Sequence, residues 1–132
     1  MSTNTPEIQL ISNVVVRDES GRVLFLLDKA DGQRWWLPGE DLTAFQHPEE
    51  RAKQVLDRLS WLSWDQIELV KVQSFRGRRG WHVMFDYLVK GSGQPTDESA
   101  AWFAVGEFPR TMHGQWEAET VSAVLASRPV GD

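Results

Sequence analysis

A chain of 132 residues builds one hydrophobic core and leaves no room for two. Hydrophobic residues make up 41% and charged residues 25%, as in an ordinary folded globule, and the net charge of −5 argues against a general affinity for nucleic acid or anionic membranes. With no cysteine, disulfide and thiolate chemistry are both closed to it. The N-terminal residues do not read as a secretory leader and no apolar run is long enough to span a bilayer, so the expected location is cytoplasmic and membrane partners are not expected.

In chain order, residues 1–7 are polar and predict a flexible N-terminus, 8–127 a single domain, and 128–132 a C-terminal tail. Residues 8–17 are rich in Ile and Val and predict a strand. Asp18-Glu19-Ser20-Gly21 is a turn, and residues 23–27 return from it as the second strand of a hairpin. A loop over residues 28–34, with Asp31-Gly32 in it, delivers the chain to Trp35-Trp36-Leu37-Pro38-Gly39. Pro48-Glu49-Glu50 then opens a helix, since proline fits the first turn and the helix dipole favours acid there. Ala52, Val55, Leu56 and Leu59 form its apolar stripe, and Lys53, Gln54, Asp57 and Arg58 its opposite face.

Two more strands are predicted at 66–75 and 81–89, joined by the Arg76-Gly77-Arg78-Arg79-Gly80 run. Three arginines in five residues can grip phosphate, but a loop kept soluble by charge explains them as well. Gly91-Ser92-Gly93-Gln94-Pro95 reads as a flexible connection to Asp97 and Glu98. A short strand at 101–105 and a helix at 115–127, apolar along Val121, Val124 and Leu125, complete an α+β order of elements.

The stretch from Trp35 to Trp61 resembles the signature of the Nudix family, which hydrolyses nucleoside diphosphates linked to another group. That signature follows a Trp-x-Leu-Pro-Gly-Gly turn and reads G-x5-E-x7-R-E-U-x-E-E-x-G-U, with U aliphatic. Trp35-Trp36-Leu37-Pro38-Gly39 matches the lead-in, and Glu40 stands where the first motif glycine belongs. With Val55-Leu56 placed on U-x, Lys53-Gln54 replace the Arg-Glu pair, Asp57-Arg58 the Glu-Glu pair, and Ser60 the later glycine. The loop is one residue short, which puts the early glutamate at Gln46 or His47. Glu98 to Phe103 is similar to the family's acidic loop and Trp-aromatic strand. The likeness covers residues 9–126 and implies an α/β/α sandwich around a mixed β-sheet.

The resemblance also states what is missing. Magnesium neutralises phosphoryl oxygens and activates water, and carboxylates hold it in near-octahedral geometry. Lys53 and Arg58 against Asp57 leave one net positive charge, where the family's one arginine and three glutamates leave two negative charges. No cofactor is therefore expected on this face. If the chain is a hydrolase, Mg²⁺ or Mn²⁺ would need Asp57 with Glu49, Glu50 or Glu98, and Asp57 and Glu98 would be the catalytic pair.

Otherwise the implied partner is a small nucleotide-like ligand, with Lys53, Gln54 and Arg58 taking over the charge neutralisation and Trp35, His82 and Asp86 contributing to the ligand site. A third reading keeps the fold alone, as a protein-interaction module, and a homodimer stays open. Each candidate has a plainer explanation. Lys53, Asp57 and Arg58 can be a solvated face with a Lys53–Asp57 pair one turn apart. His47 and His82 have no paired spacing for a metal, and any one of seven tryptophans is more readily a core residue than a stacking platform.

Overall fold

Val14, Val15 and Val16 all have no exposed surface, so the strand that carries them is covered on both faces. A computed structural model, which describes residues 8–30, 34–77 and 80–127, gives the elements β1 (Ile8–Arg17), β2 (Val23–Asp28), β3 (Arg34–Trp36), β4 (Gly39–Asp41), α1 (Pro48–Asp57), β5 (Ser63–Gly77), β6 (Gly80–Ser92), β7 (Ala100–Phe103) and α2 (Trp116–Ala126). The seven strands form one mixed sheet in which β1 is central. It runs parallel to β6 from Ile8↔Trp81 to Arg17↔Lys90 and antiparallel to β4 from Ile11↔Asp41 to Asn13↔Gly39.

A helix lies on each face. Ala52 and Leu56 of α1 pack with Val14, Val16, Leu24, Tyr87 and Val89. Val121 and Val124 of α2 pack with Val15, Val23, Phe25, Leu37 and Val70. This is an α/β/α sandwich, and its cause is the alternation of β1, which sends even-numbered residues to α1 and odd-numbered residues to α2.

The first hairpin differs from its expected form. Asp18 shapes the turn, its Oδ1 accepting from the Ser20 and Arg22 amides at 2.9 and 2.8 Å, with Gly21 at φ 83°. Yet β1 and β2 pair in register only at Arg17↔Val23, because β2 crosses to a second group of strands, β3 and β7. The connection expected at 91–95 also starts late. Gly91 and Ser92 belong to β6, paired with Trp64 and Ser63. Gly91 is there for room: a Cβ on it would stand 2.6 Å from Val16 Cγ1. The edge pair β5–β6 is accordingly longer than expected at both ends, and β7 begins and ends earlier than its expected 101–105. The expected termini at 1–7 and 128–132, Asp31-Gly32, and Arg78 and Arg79 lie outside the described residues. Among the described residues, no helix is long and apolar enough to cross a membrane.

Candidate functional site

The first helix is fixed at its start by its own sequence. His47 is the N-cap, its Nδ1 accepting from the Glu49 amide at 3.1 Å, and Pro48 fills the first turn. Ser12 Oγ donates to the Pro48 carbonyl at 2.6 Å and ties that end to β1. Beside it β4 lies so close to β1 that a Cβ on Gly39 would stand 2.8 Å from the Ser12 carbonyl oxygen. This close approach brings Glu40, the next residue, against the flank of α1.

On that flank Glu40 Oε2 receives two guanidiniums, Arg51 Nη2 at 2.9 Å and Arg58 Nη1 at 2.6 Å. Arg51 also donates through Nε to the Asp41 carbonyl at 2.9 Å and through Nη1 to Gln54 Oε1 at 3.0 Å. Gln46 Nε2 reaches the same Gln54 oxygen at 2.8 Å. Arg51, Gln54 and Arg58 stand at i, i+3 and i+7, one stripe of a helix that turns about 100° per residue.

The four-residue face read from the sequence is thus divided. Gln54 and Arg58 join Arg51 and face Glu40. Lys53 and Asp57 stand on the other flank, where Lys53 pairs back to Glu49 at 3.2 Å and Asp57 Oδ1 accepts from the Trp64 indole at 3.0 Å. The expected Lys53–Asp57 pair does not form, because each side chain has this other partner. Glu98 lies exposed in the loop before β7. Its neighbour Asp97 accepts from the amide and hydroxyl of Ser99, bonds that hold the Asp97 carboxyl below its usual range.

Glu40 has a second role, since it also lines a cavity of about 470 Å³, a volume in the range of small-molecule sites. Trp36, Phe75, His82, Met84 and Trp116 supply flat or flexible walls. His82 lies stacked on Phe75, with centroids 5.0 Å apart and planes 7° from parallel. Asn13 also lines the cavity and donates through Nδ2 to Asp86 Oδ1 at 3.1 Å, while Gln73 Nε2 holds Asp86 Oδ2 at 2.6 Å. Burial pushes the Asp86 carboxyl up, and the two hydrogen bonds oppose that shift in part. Asp86 therefore stands behind Asn13, holding its amide. Trp35 packs edge-on against Phe103 at 5.0 Å, its amide bonded to the Arg110 carbonyl, and it is Trp36 that reaches the cavity.

Glu117 lines the cavity as well. It has no exposed surface, Oε2 meets His113 Nδ1 at 2.8 Å, and Oε1 has no partner among the described residues. Sequence reasoning missed Glu40, Arg51, Trp36 and Glu117 as site residues. Two of them left a signal. Arg51 sits three and seven residues before Gln54 and Arg58, and Glu117 falls on the stripe of Val121 and Val124, where an apolar residue is the usual choice.

A divalent cation does not fit this arrangement. Two guanidiniums already share the one carboxylate that faces them, and their charge repels a cation at that point. Among the described residues, no three His, Asp or Glu side chains stand where they could hold a metal ion, so Asp57, Glu49, Glu50 and Glu98 do not gather into a site.

No protein-family model matches the sequence, and no curated protein matches it either. Solved structures do match in shape. A UDP-X diphosphatase superposes with a TM-score of 0.71 at 15% identity over 95% of this chain, which spans 64% of that protein. A Nudix hydrolase from Nitrosomonas europaea gives 0.69 at 15% identity over 94% of each chain. An ADP-ribose pyrophosphatase from Streptococcus suis gives 0.63 at 17% identity over 89% of each. The chain has the Nudix fold.

Proposed function

We propose that this Nudix-fold chain binds a nucleotide diphosphate-type ligand, with the base in the cavity and the diphosphate on Arg51 and Arg58, and that it hydrolyses such ligands weakly or not at all. The observation that carries the reading is the position of Glu40. Glu40 lines the cavity, and its carboxylate holds both arginines as a phosphate oxygen would, so the pair is already oriented for an anion. A diphosphate displaces Glu40 from the guanidiniums and gains charge-assisted bonds in its place. Fixed cations neutralise phosphate charge, but they do not supply an activated water, and this is why turnover is not expected.

The test is a thermal-shift screen of nucleotide sugars, dinucleoside polyphosphates, ADP-ribose and nucleoside triphosphates, in EDTA and again with Mg²⁺ and Mn²⁺, followed by product analysis. Binding that persists in EDTA without turnover is the expected result. Hydrolysis that disappears in Asp57→Ala or Glu98→Ala would return the chain to the metal-dependent hydrolases.

One observation favours a second reading, a protein-interaction module. Beyond the reach of α1, the sheet leaves Ile8, Leu10, Val72 and Trp81 exposed on one face. If no nucleotide raises the melting temperature, that reading leads.

A further inference from the structure

The unpartnered oxygen of Glu117 asks for a ligand of definite chemistry. Buried carboxylate oxygens are almost always hydrogen-bonded, and one left without a partner costs the fold its full desolvation. Glu117 Oε1 is such an atom, on a residue with no exposed surface that lines the cavity. Its other oxygen is fixed by His113, so the carboxylate cannot turn away without losing that bond. The cavity lining carries three carboxylates, those of Glu40, Asp41 and Glu117, and no lysine or arginine to offset their charge, its neutral donors being Trp36, Trp116, His82, His113 and Asn13. The Asn13 amide gives one of its two hydrogens to Asp86, and Glu117 Oε1 has no donor of the protein on it among the described residues. A group placed there must bring the hydrogen to the bond.

We propose that Glu117 selects the base of the bound nucleotide, its Oε1 accepting from the exocyclic amine of an amino-bearing ring such as adenine or cytosine. This rests on the nucleotide-binding reading above and adds to it the class of base. A ring that offers a carbonyl oxygen at that point sets acceptor against acceptor, and a ring with no substituent leaves Oε1 unpaired. Both lose a hydrogen bond to a charged group, and each bond of that kind corresponds to about tenfold to a hundredfold in affinity. Glu117 is then a specificity-determining residue, and His113 is the positioning residue that holds it.

The experiment compares four diphosphates on the wild-type chain in EDTA by calorimetry: CDP against UDP, and ADP against purine riboside diphosphate. The diphosphate is common to all four, so each ratio isolates the base. CDP and ADP are expected to bind tenfold or more tightly than their partners, and Glu117→Gln, which can donate as well as accept, is expected to bring both ratios to within about twofold of unity. Equal binding of all four, with affinity lost in Arg58→Glu, overturns the Glu117 assignment and leaves the arginine site standing. Ratios that survive Glu117→Gln overturn it too. If none of the four binds, both readings fall together. The wild-type ratios decide even if Glu117→Gln does not fold.

Discussion

Replacing Arg58 by alanine and by glutamate, beside Glu40→Gln, tests the charge logic of the rim from both sides. Arg58 is 57% exposed and Arg51 only 15%. An exposed pair such as Arg58–Glu40 contributes at most about 1 kcal/mol to stability, so Arg58→Ala is expected to fold normally. A charge-assisted bond to phosphate is worth about 1.5–3 kcal/mol. The exposure of Arg58 places it at the weak end, a loss of about tenfold in affinity, while Arg51 belongs at the strong end, about a hundredfold. Arg58→Glu goes further, because it sets a carboxylate against the bound diphosphate. At a separation of about 4 Å in water that repulsion is worth about 1 kcal/mol, roughly another fivefold. Glu40→Gln has the opposite sign: it frees both guanidiniums from their internal anion and is expected to tighten a diphosphate severalfold. Calorimetric titration of each variant with ADP-ribose in EDTA at two salt concentrations measures all of this, with affinity falling as screening shortens toward about 8 Å at physiological ionic strength. Unchanged binding in Arg58→Glu, or weaker binding in Glu40→Gln, would refute the view that these arginines hold the diphosphate.

Gly39→Ala forces a methyl group against the Ser12 carbonyl and is expected to destabilise by about 1–3 kcal/mol in urea unfolding. Leu56→Ala, at a position with no exposed surface, is expected to cost about 2–5 kcal/mol; a loss under 1 kcal/mol would mean that α1 does not pack as described. For Asp86, the raised folded pKa means that the native state takes up a proton before the unfolded chain does. Its contribution to stability therefore grows as pH falls through the folded pKa, levels off below the ordinary value near 3.8, and is lost again as pH rises; the wild-type urea midpoint, measured relative to Asp86→Asn, should climb on acidification from pH 7 toward 4. A flat difference would show that Asp86 is not the buried carboxylate described.

The elements were legible where a single strong pattern fixes them. The Ile- and Val-rich run of β1 predicts its span from Ile8 to Arg17, and Pro48-Glu49-Glu50 with the stripe of Ala52, Val55 and Leu56 predicts α1. What local pattern cannot show is which strand a strand chooses. Nothing in residues 23–27 tells that β2 leaves β1 after one pair to join β3 and β7. The site follows the same division. Gln54 and Arg58 fall at positions of the motif, whereas Arg51 lies outside it and Glu40 stands where the motif has a glycine. Glu40 and α1 meet because β4 is pressed against β1, a contact set by Gly39 and invisible along the chain. The cavity is less legible still, since it joins Asn13, Trp36, His82 and Glu117 from four separate elements or their flanks.

The pairing of β1 has a consequence for how the chain folds as it is made. The strand precedes the other described strands, yet its long partner β6 begins at Gly80; meanwhile the hairpin with β2 offers one in-register pair and β4 three short of the valines. Until residue 92 is free, Val14, Val15 and Val16 lack the strand that pairs with all three, through Tyr87, Leu88 and Val89. Pairings this distant in sequence are slow, because loop closure precedes any gain from them. A nascent chain halted after Gly77 should therefore remain sensitive to protease throughout, and release of the β6 segment should be the single event that makes it resistant.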